Sequence, residues 1–217
     1  MDFIANLISG LSLGSIYALI ALGYTMVYGI AKMLNFAHGD IIMIGAYSVI
    51  VSLTTLHLPG IAAVVISIAV CALLGITIEF LAYKPLRKSS PLAVLITAIG
   101  VSYFLQNVAL IIFGSTQLPF DKDKKLFDLP VVKFGKVEIN GITLLTLIVT
   151  AVIMVGLTLF INKTKMGKAM RAVSEDKEAA ELMGISVNKT ISVTFAIGSA
   201  LAAVASIFYG GTYVYIR

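Results

Sequence analysis

FIANLISGLSLGSIYALIALGYTMVYGIA, from Phe3 to Ala31, contains no charged residue. An α-helix rises about 1.5 Å per residue, so roughly 20 apolar residues cross the ~30 Å hydrocarbon core of a bilayer. This tract exceeds that requirement. Four more charge-free tracts follow: Ile41 to Ile78, Ser89 to Phe120, Ile139 to Asn162 and Ile191 to Ile216. The first of these is long enough to cross twice. Over all 217 residues the chain is 59% hydrophobic and 12% charged, against about 25% charged in an average soluble domain. Its mean hydropathy is +1.01. The fold class that follows is all-α, a polytopic transmembrane helical bundle.

The first tract is not the apolar core of a signal peptide. Such a core runs about 7–15 residues behind a basic segment, whereas this chain opens Met1-Asp2-Phe3, with an acid and no base. The net charge of +5 does not point to nucleic acid, because the bases flank the ends of the apolar tracts, where the positive-inside rule accounts for them. The single cysteine, Cys71, excludes an intrachain disulfide and reads as a small packing residue.

These limits predict a single membrane-spanning domain over 1–217, with spans near 3–29, 36–56, 60–83, 91–114, 141–161 and 191–210. Proline and glycine in LHLPG (Leu56 to Gly60) stop the second helix. The loop KPLRKSSP (Lys84 to Pro91) has three bases and no acid, and the loop 162–190 has six bases. Both therefore belong on the cytoplasmic side, which puts the loop 115–140 and the N-terminus outside. The apolar part of the second span, Ile41 to Leu56, has 16 residues; a broken or re-entrant segment is the alternative to a full crossing. Small residues at i+4 spacing, Gly10, Gly14 and Ala18 in the first span and Gly198, Ala202, Ser206 and Gly210 in the last, mark faces for close helix packing.

Polar residues inside such a chain need a reason. Asn35, His38, Gly39 and Asp40 open the second span. One reading is structural, with Asn35 or Asp40 capping the helix and Gly39 permitting a tight turn. The other makes the run part of the substrate path or its inner gate, since ionisable groups within membranes face a cavity or a partner. Glu79 is expected to snorkel or to pair with Lys84 or Arg87. In RAVSEDKEAAELMGISVNKT (Arg171 to Thr190), Ser174 reads as an N-cap, Glu175 and Asp176 favour a helix N-terminus, and Gly184 fits the terminating position. The expectation is a short helix over 175–183 whose stripe of Ala179, Leu182 and Met183 is covered by the membrane surface or by a partner protein.

No catalytic or metal site can be assembled. GISVNKT (Gly184 to Thr190) is one residue short of a phosphate-binding loop and lacks its second glycine. The Asn162 and Asn188 glycosylation sequons fall on the cytoplasmic side and carry no meaning there.

EAAELMG (Glu178 to Gly184) matches E-A-A-x-x-x-G, and so resembles the coupling loop of bacterial ABC importer permeases. GLSLGSIYALIALGYTMVYGI, followed by NFAHGDIIMIGAY, resembles the start of the LivH-type permeases of branched-chain amino-acid ABC importers, and Arg171 to Thr190 resembles their coupling segment. The resemblance covers nearly the whole chain. It implies a non-enzymatic subunit of an ATP-driven importer for branched-chain or similar apolar amino acids, in a bacterial or archaeal plasma membrane. It implies no cofactor in this chain, because ATP is bound by ATP-binding cassette subunits. The other implied partners are a second homologous permease subunit and an extracytoplasmic substrate-binding protein. Glu178, Ala179, Ala180, Leu182 and Gly184 would couple to the ATPase, with Ala179 and Ala180 small enough to enter its groove. Such permeases continue beyond the point where this chain ends, YGGTYVYIR, which implies a C-terminally truncated chain. A urea or short-amide importer shares these features. An ATP-independent secondary transporter or channel, with His38 and Asp40 as ion ligands, and a non-transporting scaffold are the rivals from other classes.

Overall fold

The computed structural model describes residues 2–87, 89–115, 118–119, 132–134, 137–139, 141–212 and 215–216, and side-chain surroundings within 6–87, 89–115 and 141–211. Among the described residues, eight α-helices are formed: α1 (Asp2–Ala31), α2 (His38–Thr54), α3 (Gly60–Ile78), α4 (Pro91–Phe113), α5 (Gly141–Lys163), α6 (Lys165–Glu175), α7 (Lys177–Leu182) and α8 (Val187–Thr212). β1 (Leu118–Pro119) pairs antiparallel with β4 (Tyr215–Ile216), and β2 (Val132–Phe134) with β3 (Val137–Ile139). The rest of the expected outer loop 115–140 lies outside the described residues, apart from Ser115.

Among the described residues, five helices are long and apolar enough to cross a membrane: those within Asn6–Ala31, Gly60–Leu86, Pro91–Phe113, Gly141–Lys163 and Val187–Gly211. α2 has 17 residues, about 25 Å of helix, which is short of a full hydrocarbon core. It nevertheless runs antiparallel to α3 along the bundle: Ser67 Oγ donates to the Gly45 carbonyl at 2.9 Å and Cys71 Sγ to the Ile41 carbonyl at 3.5 Å. Its shortness is compatible with membrane depth because α3 and α8 enclose it, and irregular backbone there is tolerated only where protein covers it.

Helix ends follow from local chemistry. Lys32 takes a left-handed φ of 57° and terminates α1, its N–H donating to the Tyr28 carbonyl at 2.9 Å. Ser90 Oγ accepts from Ala93 N at 3.4 Å to cap α4, whose first residue is Pro91, a position where the missing N–H costs nothing. α3 passes into a π-helical turn over Glu79–Tyr83 and a 3₁₀ turn over Lys84–Leu86. Pro85 has no N–H to donate back into an α-helix, so the regular ladder cannot continue through it.

α8 is the most enclosed of the long helices and α5 the least. α8 packs against α1, α2 and α3 together, burying Ile191, Phe195, Leu201, Ala202, Ala205 and Phe208. The close crossing with α1 is at Gly23 and Gly198: a Cβ on Gly198 would stand 2.6 Å from Val27 Cγ2 and 3.0 Å from the Gly23 carbonyl. Gly10 and Gly14, expected to form the packing face of α1, have open space beside them. The contact instead falls further along the helix, where α8 crosses it. Outer faces of α4 and α5 present Ile96, Tyr103, Phe104, Ile111, Val152 and Val155, as a lipid-facing surface should.

Candidate functional site

The polar groups where α2 begins are buried rather than exposed. Asn35, His38 and Asp40 are all buried. Asn35 Oδ1 accepts from the Tyr83 hydroxyl at 3.1 Å, which ties the turn to the π-helical segment of α3. Tyr83 is itself fully buried and leans on Phe195 of α8, with ring centroids 5.5 Å apart. His38 meets Tyr24 edge-on at 5.9 Å. Neither of its ring nitrogens completes a hydrogen bond of ordinary geometry. Asp40 Oδ1 accepts from Gln106 Nε2 of α4 at 3.0 Å, while Oδ2 is buried without a partner.

Two sequence expectations fail here. Neither Asn35 nor Asp40 caps α2, which begins behind Ala37 with no side-chain cap; both carboxamide and carboxylate are drawn to partners on other helices. Gly39 makes no turn. It lies inside α2 with open space beside it, and the left-handed residue that breaks the chain is Lys32.

Beside this turn, Glu79 is fully buried and pairs with Arg87. Its other oxygen accepts from Ser192 Oγ at 2.6 Å, and Arg87 also donates to Asn188 Oδ1. Glu79 therefore pairs with Arg87 and not with Lys84, whose ammonium sits 4.5 Å over the Phe80 ring. The network closes the end of α3 onto the start of α8.

The segment after α5 contains two helices. α6 buries Gly167, Met170 and Val173 on one face and is capped by Thr164, whose Oγ1 accepts from Gly167 N at 3.0 Å. α6 continues through Ser174, so Ser174 is not an N-cap; its hydroxyl donates to the Arg171 carbonyl at 2.7 Å. The expected helix over 175–183 is α7, Lys177–Leu182, capped by Asp176, whose Oδ1 accepts from Glu178 N at 2.8 Å and Ala179 N at 3.0 Å. Gly184 has a φ of 80°, the left-handed geometry a terminating glycine supplies without strain. Lys177 Nζ donates to the Ala31 carbonyl at 2.7 Å, fastening α7 to the end of α1. Burial, with the Arg87 and Lys32 charges nearby, holds the Lys177 ammonium below the usual lysine range.

The profile of the family described as "Branched-chain amino acid transport system / permease component" matches residues 6–217. The chain belongs to that family. Among individual relatives, it is 42% identical over 229 residues to the high-affinity branched-chain amino acid transport system permease protein BraD of Pseudomonas aeruginosa, covering 97% of this chain and 72% of that protein. It is 41% identical over 224 residues to the LivH permease protein of Escherichia coli K12 and 40% identical to that of Salmonella typhimurium, covering 97% of this chain and 71% of each. No solved structure matches it.

This permease is thus a multi-pass membrane transport subunit, and its polar residues can be read in that light. The structure separates the expected coupling residues into two groups. Glu178, Ala179, Leu182 and Gly184 are exposed, with Leu182 at 88% and Met183 at 82%. Ala180, expected to enter a partner's groove, is 4% exposed and packs inside the chain. Tyr83, Gln106, Ser192 and Lys177 were missed from the sequence because each acts through a residue distant in the chain. Among the described residues, no cluster of His, Cys, Asp or Glu could hold a metal.

Proposed function

We propose that this permease is the membrane-spanning subunit of an ATP-driven importer carrying branched-chain or similar apolar amino acids. ATP is hydrolysed in separate ATP-binding cassette subunits. A second homologous permease subunit completes the passage, and an extracytoplasmic binding protein delivers the amino acid. α7 faces the cytoplasm of a plasma membrane, and the N-terminus lies outside. The family match carries the reading, and the naming of its relatives supplies the substrate class.

The mechanism is mechanical. Leu182 and Met183 stand almost fully in solvent at the end of a helix of six residues, an apolar tip suited to a groove on the ATPase. Movement of α7 is passed to α1 through Lys177 and the Ala31 carbonyl. Movement at the start of α8 reaches α3 through Asn188, Ser192, Arg87 and Glu79. The route we assign follows the seam of α2 and α4, where Asp40 and Gln106 meet beside a cavity of about 260 Å³ lined by Met43, Tyr47 and Leu110. Asn35 and His38 hold the inner end of that seam, with Gly39 on the exposed side of α2.

The test is uptake into vesicles containing the full set of subunits. Leucine accumulation should require ATP and persist when the proton gradient is collapsed. Accumulation that follows the pH gradient without ATP would instead make His38 and Asp40 ion-coupling groups of a secondary transporter.

A further inference from the structure

At the α7 end of the bundle a cavity of about 320 Å³ receives three cationic side chains from three separate segments: Lys32 behind α1, Arg87 behind the 3₁₀ turn, and Lys177 at the start of α7. Tyr28, Val94 and Leu95 line its wall toward the apolar part of the bundle. We propose that this cavity is a phosphate-anion site, filled by the headgroup of an anionic phospholipid entering between α1 and α4.

Three observations carry this. Charge within the cavity is unbalanced: the acid joined to the cluster, Glu79, is already shared between Arg87 and Ser192, and Asp176, next to Lys177, is engaged as the cap of α7. Like charges held together in a partly buried space repel, and the lowered Lys177 proton affinity has that cause after burial. An anion among them makes charge-assisted hydrogen bonds and relieves the repulsion. Second, donor capacity is unused, since Arg87 Nε is buried without a partner. Third, the cavity opens beside lipid-facing surface. Tyr28, which lines it, is half exposed, and Leu92 and Ile96 extend the apolar face along α4. Acyl chains can lie there while the phosphate sits among the bases. Basic pockets between membrane helices recognise headgroups in this way.

The site is read out by lipid retention, which needs neither ATP nor a transported amino acid, so its failure is separate from failure of the importer reading. The assembled transporter is placed in nanodiscs of phosphatidylcholine with or without phosphatidylglycerol, and retained phosphatidylglycerol is counted by mass spectrometry after detergent extraction. Lys32→Gln with Lys177→Gln should weaken retention by about fivefold for each charge removed. Lys163→Gln with Lys168→Gln, at exposed positions outside the cavity, should match wild type. Lys32→Arg with Lys177→Arg should also retain lipid, which separates lost charge from lost fold. In a second arm, inorganic phosphate is added to phosphatidylcholine nanodiscs. Thermal protection of wild type but not of the Gln pair, without phosphatidylglycerol retention, would keep the anion site and overturn its lipid source. Equal retention by wild type and the Gln pair would overturn the proposal. So would loss of ATPase association with lipid retention unchanged, which would assign the cavity to an acidic group on a partner protein.

Discussion

The Glu79 carboxylate meets the Arg87 guanidinium inside the bundle, with side chains 0% and 13% exposed. An ion pair in this setting is a weak source of net stability but a severe loss when halved, because the survivor keeps its charge in a poor solvent. Glu79→Gln should therefore destabilise the permease by about 3–5 kcal/mol. Replacing both partners, Glu79→Leu with Arg87→Met, should cost much less than the two single changes summed. Thermal unfolding in detergent across the four variants measures the coupling; additive losses would show that the two side chains do not act as a pair.

The α1–α8 crossing gives a second test. A side chain at Gly198 meets Val27 and the Gly23 backbone, whereas one at Gly10 meets nothing within 4 Å. Gly198→Val should cost about 1–3 kcal/mol by overpacking, and Gly10→Val should be close to neutral. Equal melting temperatures for the two variants would remove Gly198 as the crossing point.

α7 makes a third prediction, in which neighbouring residues fail differently. Ala180 is enclosed and Leu182 is solvated. Ala180→Trp should lower the amount of folded permease in the membrane. Leu182→Ala should leave that amount unchanged while lowering ATPase recovery in a pull-down at matched permease levels. Gly184→Val, at φ 80°, should add strain of roughly 1–2 kcal/mol and reduce the same association. Full ATPase recovery and full uptake with Leu182→Ala would remove α7 as the docking tip.

Lys177 yields a pH prediction. Its folded-state proton affinity lies below the usual lysine value of 10.5. The unfolded chain therefore holds this proton more tightly than the folded chain does, and the burden of burying the charge is felt at neutral pH. As pH rises toward 10.5, that burden is lifted and the contribution of this residue to stability increases. Wild type should gain stability relative to Lys177→Met over this alkaline window. A constant or shrinking difference would contradict the sign.

Much of the bundle was legible because a long charge-free tract leaves few options in water. The termination at Gly184 was legible too, since its left-handed φ follows from residue type and position. α6 was not read, though its signal is present: Thr164 is a cap, and Gly167, Met170 and Val173 recur at helical spacing. Treating everything after α5 as a loop moved the next cap to Ser174 instead of Asp176. The capping reading of the polar turn fails for a deeper reason. A cap on its own helix is the default role for Asn35 or Asp40 at a helix start, but Tyr83 and Gln106 compete for them from 48 and 66 residues away. Such pairs exist only after the helices have met.

The π-helical turn has a consequence for length variation. The Lys84 N–H reaches back five residues to the Glu79 carbonyl, so this segment holds one residue more than an α-helix would need for the same turn. Removing Leu81 would shorten the apolar segment by only about 1.5 Å and leave it able to cross a bilayer. Because the deleted residue is the extra one, a regular α-helical turn takes its place, and Tyr83 and Arg87 keep their angular position. The same deletion at Leu73, within the regular part of α3, would rotate everything downstream by roughly 100°, carrying Tyr83 away from Asn35 and Glu79 away from Ser192. The π-helical turn is thus where this span can lose a residue without losing its neighbours, and the regular helix before it is where it cannot, a difference that hydropathy does not detect.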